Sequence, residues 1–459
     1  MKKRNPIRST LLACAVLSGL AACSDNDNVQ PDKPPVAENG DTINIRGTLK
    51  EDMSWQADKV YRLRGYVYVD APASLTIEAG TKIISNADSA GVLIIYKGAK
   101  IMAEGTAEKP IVFTSGEQEP QPGDLGGLVL VGKATGNGNH SELEGGVNPA
   151  HKAFGGTDDA DNSGILKYVR IEYAGKAVNP GDEVNGLSLY AVGSGTTIDY
   201  VQVTRGLDDA FEFFGGAVAC KHLIAYNCYD DDFDMDDGFH GKIQFAISVK
   251  DPKRTDKTEP SDFSNNLEVD NTNGESKPFT ATPVTHPLLS NFTAIGPNDA
   301  EGTNPFHGYG MRWRRGAQFE IANAIFLGGQ KAGLDLDDDP TAAAYKAGTS
   351  GFKNSLLHAV AHVCMTDKLQ DPTLLTAETL QTLVVNRDGS QILETADDAQ
   401  LKDPFNNATP DIMPLEGSPA LTTSAQFDGH LDDAFFDKVS FIGAMGTEDW
   451  TLNWTAWNK

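Results

Sequence analysis

Residues 187–247 decide the fold: LSLYAVGSGTTIDYVQVTRGLDDAFEFFGGAVACKHLIAYNCYDDDFDMDDGFHGKIQFAI. Two apolar series interleave in this stretch. Leu187/Leu189, Phe211/Phe213 and Phe233/Met235 recur about every 22 to 24 residues, and Val201/Val203, Leu223/Tyr226 and Phe245/Ile247 recur at about the same period. Most of these pairs have the i, i+2 spacing of side chains on one face of a strand. Gly, Asn and Asp punctuate them. A constant period of this length marks a solenoid, in which each coil buries its inward face against the next. A β-sandwich also has many short strands but needs no constant period. The reading is an all-β solenoid, a parallel β-helix.

The rhythm extends in both directions. Leu75-Thr76-Ile77 leads into Ala79-Gly80-Thr81, and Val92-Leu93-Ile94-Ile95 leads into Lys97-Gly98-Ala99. Met311/Trp313 and Leu334/Leu336 repeat the spacing further on. Segments 251–287 and 346–411 break it and read as insertions, the first a loop rich in Pro, Ser, Asn and Asp, the second partly helical. Residues 372–385 are the best helix candidate. Long loops on a rigid solenoid are where a ligand-specific surface is built.

Several segments carry a family likeness. Leu75-Thr76-Ile77-Glu78-Ala79-Gly80-Thr81 and Gly105-Thr106-Ala107-Glu108-Lys109-Pro110-Ile111-Val112-Phe113 are similar to the opening coils of right-handed parallel β-helix repeat proteins of the pectate-lyase-like superfold. Tyr168-Val169-Arg170-Ile171-Glu172-Tyr173-Ala174-Gly175, Val192-Gly193-Ser194-Gly195-Thr196 and Asp208-Asp209-Ala210-Phe211-Glu212-Phe213-Phe214-Gly215-Gly216 resemble a poorly characterised family of secreted and lipid-anchored members. The likeness runs from about residue 43 to the end. It implies a fold and carries no settled activity.

The N-terminus reads as an export signal. Lys2, Lys3, Arg4 and Arg8 precede an apolar run from Leu11 to Leu20 that is too short to span a bilayer. The run ends in Leu20-Ala21-Ala22-Cys23, which resembles the lipobox of bacterial lipoproteins. That resemblance implies removal of residues 1–22, acylation of Cys23 and anchoring to the outer membrane. The acidic start Cys23-Ser24-Asp25-Asn26-Asp27-Asn28 resembles the tag that sends such lipoproteins to the cell surface. Residues 23–42 lack apolar periodicity and read as a flexible linker, leaving 43–459 for the β-helix.

With Lys+Arg 38 against Asp+Glu 64, the formal net charge is −26. This charge argues against nucleic acid or an anionic lipid surface as partner and favours cations. Cys220, Cys228 and Cys364 are an odd remainder after Cys14 and Cys23. They form a poor disulfide framework; a Cys220–Cys228 bridge is the alternative to the preferred reading of small buried hydrophobes.

Strand alternation gives the Asp-rich runs a geometry. With Phe233 and Met235 inward, Asp232, Asp234 and Asp236 point outward together; with Phe211 and Phe213 inward, Asp208 and Glu212 do the same. In the later run, Asp335, Asp337 and Asp339 point outward. Carboxylates on successive coils lie about 4.8 Å apart and repel by about 1 kcal/mol per pair in water. Ca²⁺, with its flexible shell of oxygen ligands, is the natural relief, so Asp208, Glu212, Asp232, Asp234 and Asp236 are candidate ligands. Asp232-Phe233-Asp234-Met235-Asp236 resembles the start of an EF-hand loop, but Asp237 stands where the turn glycine belongs and Gly238 comes one residue late, which argues against one. The alternative relief is a basic rung, Arg312 and Arg314 flanking an inward Trp313.

Parallel β-helices include polysaccharide lyases and hydrolases, so catalytic groups must be sought. Asp208, Asp232, His240 and Arg312 or Arg314 follow the order of a polygalacturonase-like hydrolase site, but the coil before Asp208 lacks a first Asp and Phe239 interrupts the Gly-His-Gly turn. A Ca²⁺-dependent lyase would instead use Arg312 or Arg314 as the base. No serine-hydrolase elbow, phosphate loop or dinucleotide fingerprint occurs, and His140, His151, His222, His240 and His307 form no ligand-like pair. The preferred expectation is a surface binding or structural lipoprotein whose ligand is an extended glycan or a partner envelope protein. Trp313, Tyr229 and Phe239 are candidate sugar-stacking aromatics, with Tyr226 and Phe214 behind them.

Overall fold

Short apolar strands, each too small to bury its own face, wind into three parallel sheets around one core. The computed structural model describes residues 36–38, 42–179, 182–257 and 262–457. The export signal, Cys23 and nearly all of the linker lie outside the described residues. Sheet I stacks Val92–Ile95, Gly127–Val131, Leu187–Tyr190, Phe211–Phe214, Phe233–Asp236, Leu267–Asp270, Tyr309–Arg314, Ala332–Leu336 and His362–Met365. Sheets II and III are the two arms of longer strands such as Thr197–Thr204, Ala219–Tyr226 and Lys242–Val249, each bent in the middle. The arrangement is the expected right-handed parallel β-helix. The predicted rungs are in register, Leu187 beside Phe211 beside Phe233, and Met311 beside Leu334.

The bend between sheets II and III explains one departure from the predicted core. Tyr200, His222 and Phe245 occupy the corner with φ of 55, 50 and 61°, a left-handed backbone that resets side-chain alternation. Leu223 and Ala225 therefore point inward, whereas Tyr226 and Ile247 lie on the outer side. Such backbone costs about 1–3 kcal/mol per residue unless its surroundings fix it. Stacking does this: Tyr168–Tyr200, Tyr200–His222 and His222–Phe245 ring centroids are 4.4, 4.1 and 5.0 Å apart. Further along, the same corner becomes an amide ladder of Asn291, Asn323 and Asn354.

Asn323 shows how the ladder works. It accepts from Asn354 Nδ2 and from the Gln426 amide, both at 2.8 Å, and donates to Ser290 Oγ and the Gln426 carbonyl. Asn323→Ala removes four hydrogen bonds at once, two of them shared with the buried Ser290 and Asn354 side chains, and is expected to lower stability by about 1–3 kcal/mol. Urea denaturation checks this; an unchanged midpoint would show that the ladder contributes nothing.

The Gln426 contacts belong to a C-terminal strap that returns along this corner towards earlier coils. Ser424 meets Asn354, Phe441 meets Asn291, Asp437 meets Gln244, and Ala456 meets Gln202. Trp450 and Trp454 stand edge-on against Tyr200.

The predicted insertions are partly regular coils. Segment 251–287 is two loops flanking the sheet I strand Leu267–Asp270, and segment 346–411 contains Gly351–Lys353, Leu356–Ala359 and His362–Met365 as ordinary rungs. The predicted helix at 372–385 is observed as Ala377–Asn386, because the Thr376 side chain caps it by accepting from the Thr379 amide. A second helix, Asp339–Ala347, begins where a strand residue was expected at Asp339; Asp338 caps it and Pro340 fits its first turn. Cys220, Cys228 and Cys364 are free and buried, as predicted.

Candidate cation site

The outer side of sheet I changes character along the axis. Early rungs present apolar groups, Tyr68, Ile94, Val131, Tyr190 and Phe214, beneath the loop 132–163. From the Phe211–Phe214 rung onward the face becomes acidic, in a column running Glu212, Asp234, Glu268. Arg312 follows Glu268, and Asp335 follows Arg312.

Beside this column stands a second one, in the turns leading into sheet I. Asp209 Oδ1 accepts the Asp231 amide at 2.8 Å, and Asp231 Oδ1 accepts the Asn265 amide at 2.5 Å. These residues occupy one turn position on successive coils, each carboxylate satisfying the next coil's backbone. The two columns and the adjoining turns enclose a cavity of about 240 Å³ with an entirely polar lining. Nine carboxylates line it, among them Asp208, Asp209, Glu212, Asp230, Asp231 and Asp234, with one amine, that of Lys257. Three overlapping triads have donor atoms within 4.8 Å of one another: Asp208/Asp209/Asp230, Asp209/Glu212/Asp234 and Asp231/Asp234/Glu268.

The electrostatics of the cavity oppose its own ionisation. Burial pushes Asp209 well above the carboxylate range, and Asp230 and Asp231 push it further. Glu212 is raised by burial, Glu144 and Asp234; Asp231 by burial and Glu268; Asp234 by burial, Asp236 and Glu268. Asn185 donates to Glu212, and Lys257 pairs with Asp230 and, at 3.2 Å, with Asp262. Among the described residues, the buried oxygens Asp230 Oδ1 and Asp234 Oδ1 have no donor; Asp230 is 8% exposed. A cation with flexible oxygen coordination fits this donor set, and several carboxylates with few protein donors are the composition of a Ca²⁺ site.

Of the predicted ligands, Asp208, Glu212 and Asp234 are brought together here. Asp232 is not. It is fully buried and paired with Lys250 Nζ at 3.1 Å, because it stands one residue before the strand and turns inward. Asp236 lies further along the strand, towards Asp237 and His140. Asp209, Asp230, Asp231 and Glu268 were missed. The visible signal was the repeated acidic turn, Asp208-Asp209 and then Asp230-Asp231-Asp232 one period later.

The predicted catalytic set does not assemble. His240 sits in the turn after Phe233–Asp236, bonded to the Gly238 carbonyl and 3.4 Å from Asp159, whereas Asp208 lies in a turn at the other end of sheet I. A four-residue strand of about 13 Å separates such turns. Arg312 and Arg314 form the expected basic rung. Arg312 contacts Glu268 at 3.4 Å and Asp337 at 3.0 Å; Arg314 pairs with Glu268 and, at 2.8 Å, with Asp270. Burial alone would lower the Arg314 pKa, but Asp270 and Glu268 outweigh it and raise it well above the usual value, which makes a poor base. Asp335 faces outward as predicted, between the inward Leu334 and Leu336, but it is fully buried beside Arg312 at 3.8 Å, and burial lifts it to about 8.

The sugar-stacking candidates are mostly internal. Trp313 and Phe239 are fully buried, Trp313 stacked on Phe319 at 3.7 Å and Phe239 against Phe213 at 4.6 Å. Phe214 and Tyr226 are buried as well, and Tyr229 alone of these is half-buried.

Fold and site together define a parallel β-helix protein with a carboxylate-lined cavity on one sheet. Residues 47–397 match the family model described as a pectate-lyase like beta helix domain, and the chain belongs to that family. No curated protein and no solved structure gives a match.

Proposed function

We propose that the acidic cavity binds Ca²⁺ and that the chain uses it to hold an extended, uronate-bearing polysaccharide at a bacterial surface, to which Cys23 anchors it. The fold family supports a carbohydrate-related role. The observation that carries the reading is the cavity itself, nine carboxylates facing one lysine, with Asp230 Oδ1 and Asp234 Oδ1 lacking donors among the described residues. A bound cation supplies positive charge there, and a glycan carboxylate then completes its oxygen shell. The outer-membrane location rests on the lipobox resemblance and the acidic tag after Cys23.

A Ca²⁺-dependent lyase is the second reading. The register that puts Arg312 on the coil after Glu268 favours it, since a base beside a cation suits proton abstraction next to a uronate. The ion pairs that occupy both arginines favour binding over cleavage.

Calorimetric titration of chelator-treated chain 24–459 with Ca²⁺ tests the proposal. Saturable uptake is expected, weakened at least about tenfold in Asp209→Asn and Asp234→Asn, each of which removes a shared ligand charge. Absence of uptake would overturn it. A polysaccharide panel monitored for binding and for new reducing ends then separates the two readings; Ca²⁺-dependent cleavage lost in Arg312→Ala would establish the lyase.

A further inference from the structure

A second constellation on sheet I differs in chemistry from the cavity. The loop 132–163 crosses the outer side of the sheet and brings His140 onto the end of strand Phe233–Asp236. One donor atom each from His140, Asp236 and Asp237 lies within 4.8 Å of the other two. His140 Nδ1 is 3.1 Å from both Asp237 oxygens. In a tetrahedral zinc site with bonds of 2.0–2.1 Å, neighbouring donors stand about 3.3 Å apart; the His140–Asp237 pair is already at that spacing, with Asp236 inside 4.8 Å of both.

An independent observation points to a ligand. Asp236 is 7% exposed and its Oδ1 has no hydrogen-bond donor among the described residues. The adjacent Asp237 is held firmly: Asn139 Nδ2 donates to Oδ1 at 2.9 Å, and the His140 amide donates to Oδ2 at 3.3 Å. Phe214 stands edge-on to the imidazole at 5.5 Å and limits its rotation. These are the surroundings that orient metal ligands. The nearby Arg314 and Arg315 are taken up by Asp270, with Arg314 also on Glu268.

We propose that His140, Asp236 and Asp237 form a metal site for a first-row divalent ion, zinc foremost, which fastens the loop 132–163 to sheet I. The imidazole sets it apart from the acidic cavity, since nitrogen donors suit zinc and all-oxygen sets suit calcium. Glu144, from the same loop, lines the cavity, so fastening the loop fixes one of its walls. The proposal stands on its own residues and does not depend on Ca²⁺ binding.

Zinc titration of the metal-free chain 24–459, by calorimetry, is the first test. One zinc per chain is expected, with the dissociation constant raised at least about tenfold in His140→Ala and in Asp236→Asn. His430→Ala, which alters an exposed histidine elsewhere, should bind zinc as the native chain does. Zinc should also slow proteolytic cleavage within residues 132–163 in the native chain and not in His140→Ala, whose unchanged far-ultraviolet dichroism certifies folding. No uptake, or equal uptake by His140→Ala, would overturn the site.

Discussion

Asp232→Ala is expected to destabilise the protein by about 3–5 kcal/mol, because it strands a buried ammonium. Asp232 and Lys250 are 0% and 2% exposed, and their Oδ1–Nζ distance is 3.1 Å. Lys250 Nζ also donates to the Asp230 carbonyl, while Asp232 accepts from Ser248. The pair replaces the small inward residue of the preceding coil, Ala210, and spans a turn that the core does not fill. Removing the carboxylate leaves Lys250 without its partner in a site that water does not reach. Removing both charges is a different matter. The double variant Asp232→Leu/Lys250→Met is expected to recover most of the loss, since apolar groups of similar volume need no desolvation. Urea unfolding of the single and double variants reads both values, and a loss below about 1 kcal/mol for Asp232→Ala would show that Lys250 finds another partner.

In the presence of a chelator, the protein is expected to lose stability steadily as pH rises from about 5 to about 8. Asp209, Glu212, Asp231, Asp234 and Asp236 all have raised folded-state pKa values, with burial the largest cause and neighbouring carboxylates next. Each therefore holds its proton more tightly folded than unfolded. The resulting stabilisation is complete below the ordinary carboxylate range, near pH 4, and is lost as pH climbs through the folded values. Asp256 and Asp335, raised to about 7 and about 8, extend that window to the alkaline side. His307 acts the opposite way: burial lowers it to about 4, so its contribution is lost as pH falls from about 6.5. His286 and His358 share its direction, but the carboxylates outnumber them, and the net slope is downward with rising pH. Excess Ca²⁺ should restore most of the loss at about pH 8 and little at about pH 5, where protons already occupy the cavity. Thermal unfolding at several pH values, with chelator and with Ca²⁺, checks this; curves that coincide throughout would rule out cation relief of the cavity.

The fold was legible because its period is long and regular. Phe211 above Phe233 and Met311 above Leu334 follow from spacing alone. Parity reasoning reads only what happens inside a strand, and half of the cation site is outside one. Asp209 and Asp231 belong to turns, where alternation has no meaning, so their stacking could be found only by comparing turns one period apart. Glu268 was hidden differently, in a strand whose flanking loops made the whole segment look irregular. Asp232 was misplaced by extending strand alternation one residue too far, and Phe245 by carrying it through a left-handed corner. His140 lies about a hundred residues from Asp236 and Asp237, and no local pattern announces such a meeting.

The returning C-terminal strap changes what kind of object this solenoid is. Stacked coils held only by their neighbours unzip from the ends, a few at a time. Here the last residues of the chain grip coils from Asn354 back to Gln202, so the terminal rungs cannot fray without first releasing a segment that clasps the middle. Unfolding should approach a single cooperative event, and folding should be slow to finish, because its closing contacts join residues hundreds of positions apart. Until the final tryptophans are synthesised, the aromatic corner at Tyr168, Tyr200 and His222 lacks its Trp450–Trp454 cover, the stage at which the nascent protein is most exposed to proteases and to other copies of itself.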